Sequence, residues 1–220
     1  MSHQDKRDVG GLSVEWKAAW QSAAFRVQIL MTIPLLIAAL TLFSRFLEWI
    51  ELRPGVVLPD PFIATVEPHD FTVLIFIFIY GCLIVGLGVL ITRPHRLVLA
   101  LQSYILMVCF RFAAMYVTPL DPPPGIIPLT DPFVQFFGSG KAPTKDLFFS
   151  GHISTLVLLA LTATKNWLKW CFGICAATVG VLIVWQHVHY IVDVLIAPFV
   201  AYVSFRLATS VQRNTLSVKD

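Results

Sequence analysis

The sequence predicts an all-α, polytopic membrane protein with six transmembrane helices in a bundle. Three observations predict it: 57% of the 220 residues are hydrophobic, only 13% are charged, and the mean hydropathy is +0.76. Such a composition excludes an ordinary water-soluble chain. A bilayer core of roughly 30 Å takes about 20 apolar residues per helix. Six runs near that length are bounded by charge, Pro or Gly: Phe25–Leu47, Phe71–Thr92, Leu97–Val117, Phe148–Thr164, Leu168–Val188 and His189–Ala208.

The first run follows a polar stretch with Lys6, Arg7 and Lys17 and has no small-residue cleavage site near its end, so it reads as a retained helix. Pro34 inside it is tolerable, because neighbouring helices satisfy freed backbone groups. The second and third runs are joined by a short link holding Arg93 and Arg96, and the last three follow one another closely. One domain accounts for the chain. Residues 1–24 form a cytoplasmic N-terminal segment, 25–208 the membrane domain with its catalytic half at about 105–205, and 209–220 a cytoplasmic tail. Two longer loops, Glu48–Asp70 and Thr118–Leu147, are dense in Pro, including Pro54, Pro59, Pro61, Pro122, Pro123, Pro124 and Pro132, which disfavours helix there. They roof a site or simply link helices.

Orientation follows from the basic residues, which short cytoplasmic loops collect. Lys17, Arg26, Arg93, Arg96, Lys165, Lys169, Arg206 and Arg213 fall on one side. The other side holds few cations, among them Lys141, but gathers Glu48, Glu51, Asp60, Glu67, Asp70, Asp121, Asp131 and Asp146. Both termini are therefore expected in the cytoplasm. This bias also accounts for the net charge of +3 without a nucleic-acid partner. Cys82, Cys109, Cys171 and Cys175 all lie in hydrophobic runs, and no pair of matching spacing completes a metal site with Cys171 and Cys175. They read as membrane packing, with no disulfide and no metal expected.

Ionisable side chains inside spanning segments are costly and mark functional sites by default. Arg111, His152, His189 and Asp193 are the ones to weigh, and all four fall at similar depth near the outer helix ends. His189 and Asp193 lie four residues apart, which places them on one helix face within side-chain reach. A carboxylate there fixes the imidazole tautomer and stabilises the cation formed when the ring attacks an electrophile. In Ser150-Gly151-His152, Ser caps a helix, Gly lets backbone approach a ligand, and free N–H groups favour an anion. Together these predict phosphoryl transfer: one imidazole attacks phosphorus, the other protonates the departing alkoxide, and Arg111 holds phosphate oxygens as a fork. A transporter relaying ions through the same residues is the non-enzymatic alternative.

The motifs as a set resemble the phosphatidic acid phosphatase type 2 superfamily, and within it the sphingomyelin synthase-like branch. Arg111 precedes Met115-Tyr116-Val117-Thr118; Asp146 precedes Phe149-Ser150-Gly151-His152; and His187-Val188-His189-Tyr190 leads to Asp193-Val194. The resemblance covers roughly 105–205. Tyr104 and Ile183 stand where the phosphatase pattern expects Lys and Arg, and Phe149 stands where it expects Pro, departures that favour the synthase-like branch.

The resemblance implies that His189 takes a phospho-headgroup from a glycerophospholipid, that Asp193 orients it, and that His152 protonates the diacylglycerol leaving group and then deprotonates a lipid alcohol such as ceramide. It implies no metal and no cofactor. Arg111, Ser150, Gly151, Asp146, Tyr116 and His187 are the expected substrate-binding residues, Asp146 as the contact for a cationic headgroup. The expected partners are membrane lipids, a homo-oligomer is compatible with them, and the site faces the extracytoplasmic side. A lipid phosphate phosphatase using the same histidines is the nearest alternative.

Overall fold

The computed structural model describes residues 14–130 and 143–217; Lys6, Arg7, Asp131, Pro132 and Lys141 lie outside the described residues. These form seven helices and no strand: α1 (14–21), α2 (Ala23–Glu51), α3 (Thr72–Ile91), α4 (Pro94–Val117), α5 (Gly151–Thr162), α6 (Asn166–Trp185) and α7 (Ile191–Ser217). Five of them, α2, α3, α4, α6 and α7, are long and apolar enough to cross a membrane, which supports an integral membrane protein.

The expected fourth span, Phe148–Thr164, is the largest departure. Only its 12 residues Gly151–Thr162 are helical, and at 1.5 Å per residue they reach about 18 Å. Phe148 has a φ of 82°, in the left-handed region, so an α-helix cannot run through it. Residues 143–150 are non-helical instead, with Leu147, Phe149 and Ser150 buried. Hydropathy alone does not separate a buried irregular segment from a helix. Other ends shift less. Pro94, at N1 of α4, starts that helix three residues earlier than expected. α2 and α7 run unbroken past Pro34 and Pro198, and α7 extends to Ser217 rather than Ala208.

The short α5 is the centre of the bundle and packs on α3, α4, α6 and α7. Its Leu156, Leu158 and Leu159 join Ile75, Phe76, Val179 and Ile183 in the main core. Buried Ala197, Ala201, Ser204 and Ala208 fall on one face of α7 and let it approach α4 and α5 closely. α2 is peripheral: it packs along α4 through Ala39, Ile105 and Val108, with no comparable contact to α3 or α5 among the described residues. At its start, α1 is tied beneath α3, where Trp16 Nε1 donates to the Ile91 carbonyl at 2.7 Å.

The two Pro-rich loops pair with each other over one end of the bundle. Val56 N–H donates to the Pro119 carbonyl at 3.0 Å and Asp121 N–H to the Val56 carbonyl at 3.1 Å. Gly55 permits this approach, since a Cβ there would meet Leu120 backbone carbon at 2.5 Å.

Candidate functional site

Ser150 ends the irregular segment and caps α5, its hydroxyl accepting from Ile153 N–H at 3.5 Å. This places His152 in the first helical turn, where N–H groups have no intrahelical acceptor and the helix dipole favours an anion. Ser150 N–H itself donates to the Asp193 carbonyl at 3.2 Å. Two motifs 43 residues apart in the chain are thereby joined through backbone.

His189 is not helical. It lies in the turn between α6 and α7, two residues before α7 begins. The contact expected from one helix face forms nonetheless, with His189 Nδ1 3.1 Å from Asp193 Oδ2. The same oxygen accepts from Tyr190 N–H at 3.2 Å. Asp193 sits at the third position of α7 and reaches back to the residue preceding the helix, as the acidic member of a capping box does. Both side chains are buried, Asp193 fully. A carboxylate accepting from Nδ1–H leaves Nε2 as the ring's basic nitrogen.

Gly151 also meets a residue of the protein itself. Its Cα faces the Arg111 guanidinium so closely that a Cβ would overlap Nη1. The glycine makes room for a side chain of this protein. Arg111 is buried, pairs through Nη2 with Asp146 Oδ1, and lies 5.1 Å from the Phe43 ring centroid and 5.8 Å from that of Phe149. Its Nε has no hydrogen-bond partner among the described residues. Asp146 thus binds the arginine; its expected meeting with a headgroup needs that pairing to yield.

Arg111, Asp146, Gly151, His152 and His189 line one cavity of about 580 Å³. Below them its walls are apolar, from Leu36, Leu40, Leu83, Leu101 and Leu158 among others. His187 and Tyr116 are not part of it. His187, with a φ of 58°, turns away and donates from Nδ1 to the Pro124 carbonyl at 2.8 Å, pinning the second loop. Tyr116 is exposed and stacks on Trp49, with Arg53 over its ring.

Several positioning residues carry no motif signal. Asp60 Oδ2 accepts from Ile191 N–H at 2.9 Å, capping the start of α7 from the first loop. Fully buried Gln186 accepts from Phe71 N–H and donates to Thr72 Oγ1 and the Ile127 carbonyl. Glu51, at the end of α2, accepts from Thr144 and Lys145 N–H at 2.6 and 2.7 Å, beside Asp146. Tyr190 donates to the Asp121 carbonyl and accepts from Leu58 N–H. Burial, then nearby Asp193, Asp121 and Asp60, raise its phenol above the ordinary range, so it stays a neutral donor. At the start of α3, hydrogen bonds from the Thr72 hydroxyl and N–H hold the exposed Asp70 carboxyl below its ordinary value. The signal for Asp60 lay only in its acidic character within a Pro-rich loop.

Replacing Asp60 by Ala is expected to cost about 0.5–2 kcal/mol, the loss of a capping hydrogen bond from the partly buried Ile191 N–H, and to loosen the turn that holds His189. Thermal unfolding in detergent measures it. An unchanged midpoint would show that the loop does not hold the turn.

The fold and site define a helical membrane protein with a His–Asp pair, a second histidine and a buried arginine at the polar end of an apolar cavity. Residues 145–210 match the family model described as PAP2 superfamily, C-terminal, which supports the superfamily assignment. That superfamily consists generally of phosphatases and phosphotransferases. The matched segment includes Asp146, Ser150, His152, His189 and Asp193 and begins after Arg111. Neither the curated proteins nor the solved structures yield a match.

Proposed function

We propose that the protein is a lipid phosphotransferase of the sphingomyelin synthase-like kind, moving phosphocholine or phosphoethanolamine from a glycerophospholipid to a lipid alcohol such as ceramide. The observation that carries this reading is the meeting of Arg111, His152 and His189 at the polar end of a cavity whose remaining walls are mostly apolar. A site with leucine walls beneath a polar end suits a membrane lipid better than a free phosphate ester. The acidic end of the bundle faces the extracytoplasmic side in this reading, with both termini in the cytoplasm. Residues 25–208 act as one membrane domain, and the short α5 with residues 143–150 completes a sixth crossing. Irregular backbone at membrane depth is tolerable where protein buries it.

His189 Nε2 attacks phosphorus while Asp193 holds the Nδ1 proton and stabilises the developing imidazolium. The N–P bond forms, the P–O bond to diacylglycerol breaks, and protonated His152 gives its proton to the departing oxygen. The acceptor hydroxyl then passes its proton to His152 and attacks phosphorus, and the N–P bond breaks. Arg111 stabilises the phosphoryl oxygens, and as they draw the guanidinium, Asp146 becomes available to a cationic headgroup. Tyr104 lines the cavity and Ile183 is fully buried, so neither position supplies a further cation.

Purified protein supplied with headgroup-labelled phosphatidylcholine and phosphatidylethanolamine tests the proposal. Label is expected in a new lipid only when ceramide is added, since transfer to diacylglycerol regenerates the donor. Label released solely in water-soluble form, whatever the acceptor, would replace the transferase by a hydrolase with the same histidines.

A further inference from the structure

Resting on that reading, we propose that the apolar cavity measures the length of one acyl chain of its lipid, against a floor formed by Leu87, Leu90, Leu97 and Thr162. All four line the same cavity as His152 and His189. From His152 to Thr162 the cavity follows α5 for ten residues, about 15 Å. That depth equals one leaflet, half of a hydrocarbon core of roughly 30 Å. A chain whose head sits at the histidines therefore ends at the floor. A volume of about 580 Å³ is that of a site for one modest ligand, so the second chain of a two-chain lipid stays in the surrounding bilayer.

Polar groups lie beside the floor. Arg96 Nη1 donates to the Thr162 carbonyl at 3.2 Å and reaches the Ala163 carbonyl at 3.5 Å. A methyl end pushed past Thr162 would meet a guanidinium and peptide carbonyls, and displacing their hydrogen bonds is unfavourable. The wall above the floor is also adjustable. Gly86 on α3 faces Leu159, which lines the cavity, and a Cβ at Gly86 would come within 2.7 Å of Leu159 Cδ2. That contact is with the end of a flexible side chain, so Gly86→Ala should swing Leu159 inward without breaking the helix pair.

Two measurements test the length-measuring floor. In the first, full-length protein in phosphatidylcholine vesicles is photolabelled with phosphatidylcholine carrying a diazirine at the end of one palmitoyl-length chain. Adducts are expected on peptides holding Leu87 to Leu97 or Leu158 to Thr162, and an octanoyl-length probe should label higher in the cavity. The same scattered labelling of outward-facing α2 residues by both probes would overturn the proposal. In the second, Gly86→Ala and Leu97→Trp should each lower the palmitoyl-to-octanoyl ratio of kcat/KM by at least about tenfold, since each displaced methylene is worth about fourfold. An equal loss for both chain lengths would overturn it. Absence of turnover with every phospholipid would instead defeat the proposed reaction, while the photolabelling still decides the floor.

Discussion

The His189→Ala protein is expected to keep its helical content and thermal midpoint and to lose lipid phosphotransfer by on the order of a thousandfold or more, as removal of a covalent nucleophile does. Stability is spared because a smaller side chain leaves Tyr190 N–H still donating to Asp193 Oδ2 and Asp60 still capping Ile191. Asp193→Asn is expected to follow in activity, because an amide no longer enforces the Nδ1–H tautomer, an effect worth on the order of 10³–10⁴ in the serine triad. Rapid alkaline quench of native protein with labelled phospholipid should trap label on His189 that is stable to alkali and released by acid. Native-like turnover by His189→Ala would remove it as nucleophile and, with it, the double-displacement scheme.

Gly151→Ala should be damaging out of proportion to one methyl group. The new Cβ would occupy the position of Arg111 Nη1, and the guanidinium has little room to retreat between the Phe43 and Phe149 rings. Overpacking of this kind costs about 1–3 kcal/mol. Displacing this buried donor fork is expected to lower kcat/KM by on the order of 10²–10³. Combining Gly151→Ala with Arg111→Lys separates the two effects. The slimmer ammonium relieves the overlap, so stability should return while activity does not, because Lys lacks the planar fork. A Gly151→Ala protein with native stability and turnover would show that Arg111 does not need this place.

The membrane class and the ionisable residues were legible in the chain because lipid imposes one-dimensional rules. A segment that faces lipid must satisfy its backbone as a helix, and a charge inside one needs a reason. The Ser150 cap and the His189–Asp193 contact were legible for a related reason: both are local, spanning three and four residues. What remained hidden involves pairs far apart. Asp60 and Ile191 are 131 positions apart, Arg111 and Asp146 35, His187 and Pro124 63. No periodicity reports such meetings. His187 and Tyr116 belonged to the motif stretches yet point elsewhere, since a left-handed backbone at one and an exposed helix end at the other set their directions.

By itself, then, the sequence determined an all-helical membrane chain and named Arg111, His152, His189 and Asp193 as its costly polar residues, because hydropathy and four-residue spacing are properties of adjacent positions. Only the tertiary structure decided that α5 is short, that Gly151 yields its space to Arg111, and that the polar site sits on an apolar cavity reaching Thr162. These depend on how helices from distant parts of the chain pack. Close packing fixes which side chain fills a given space, and nothing in a single segment records it.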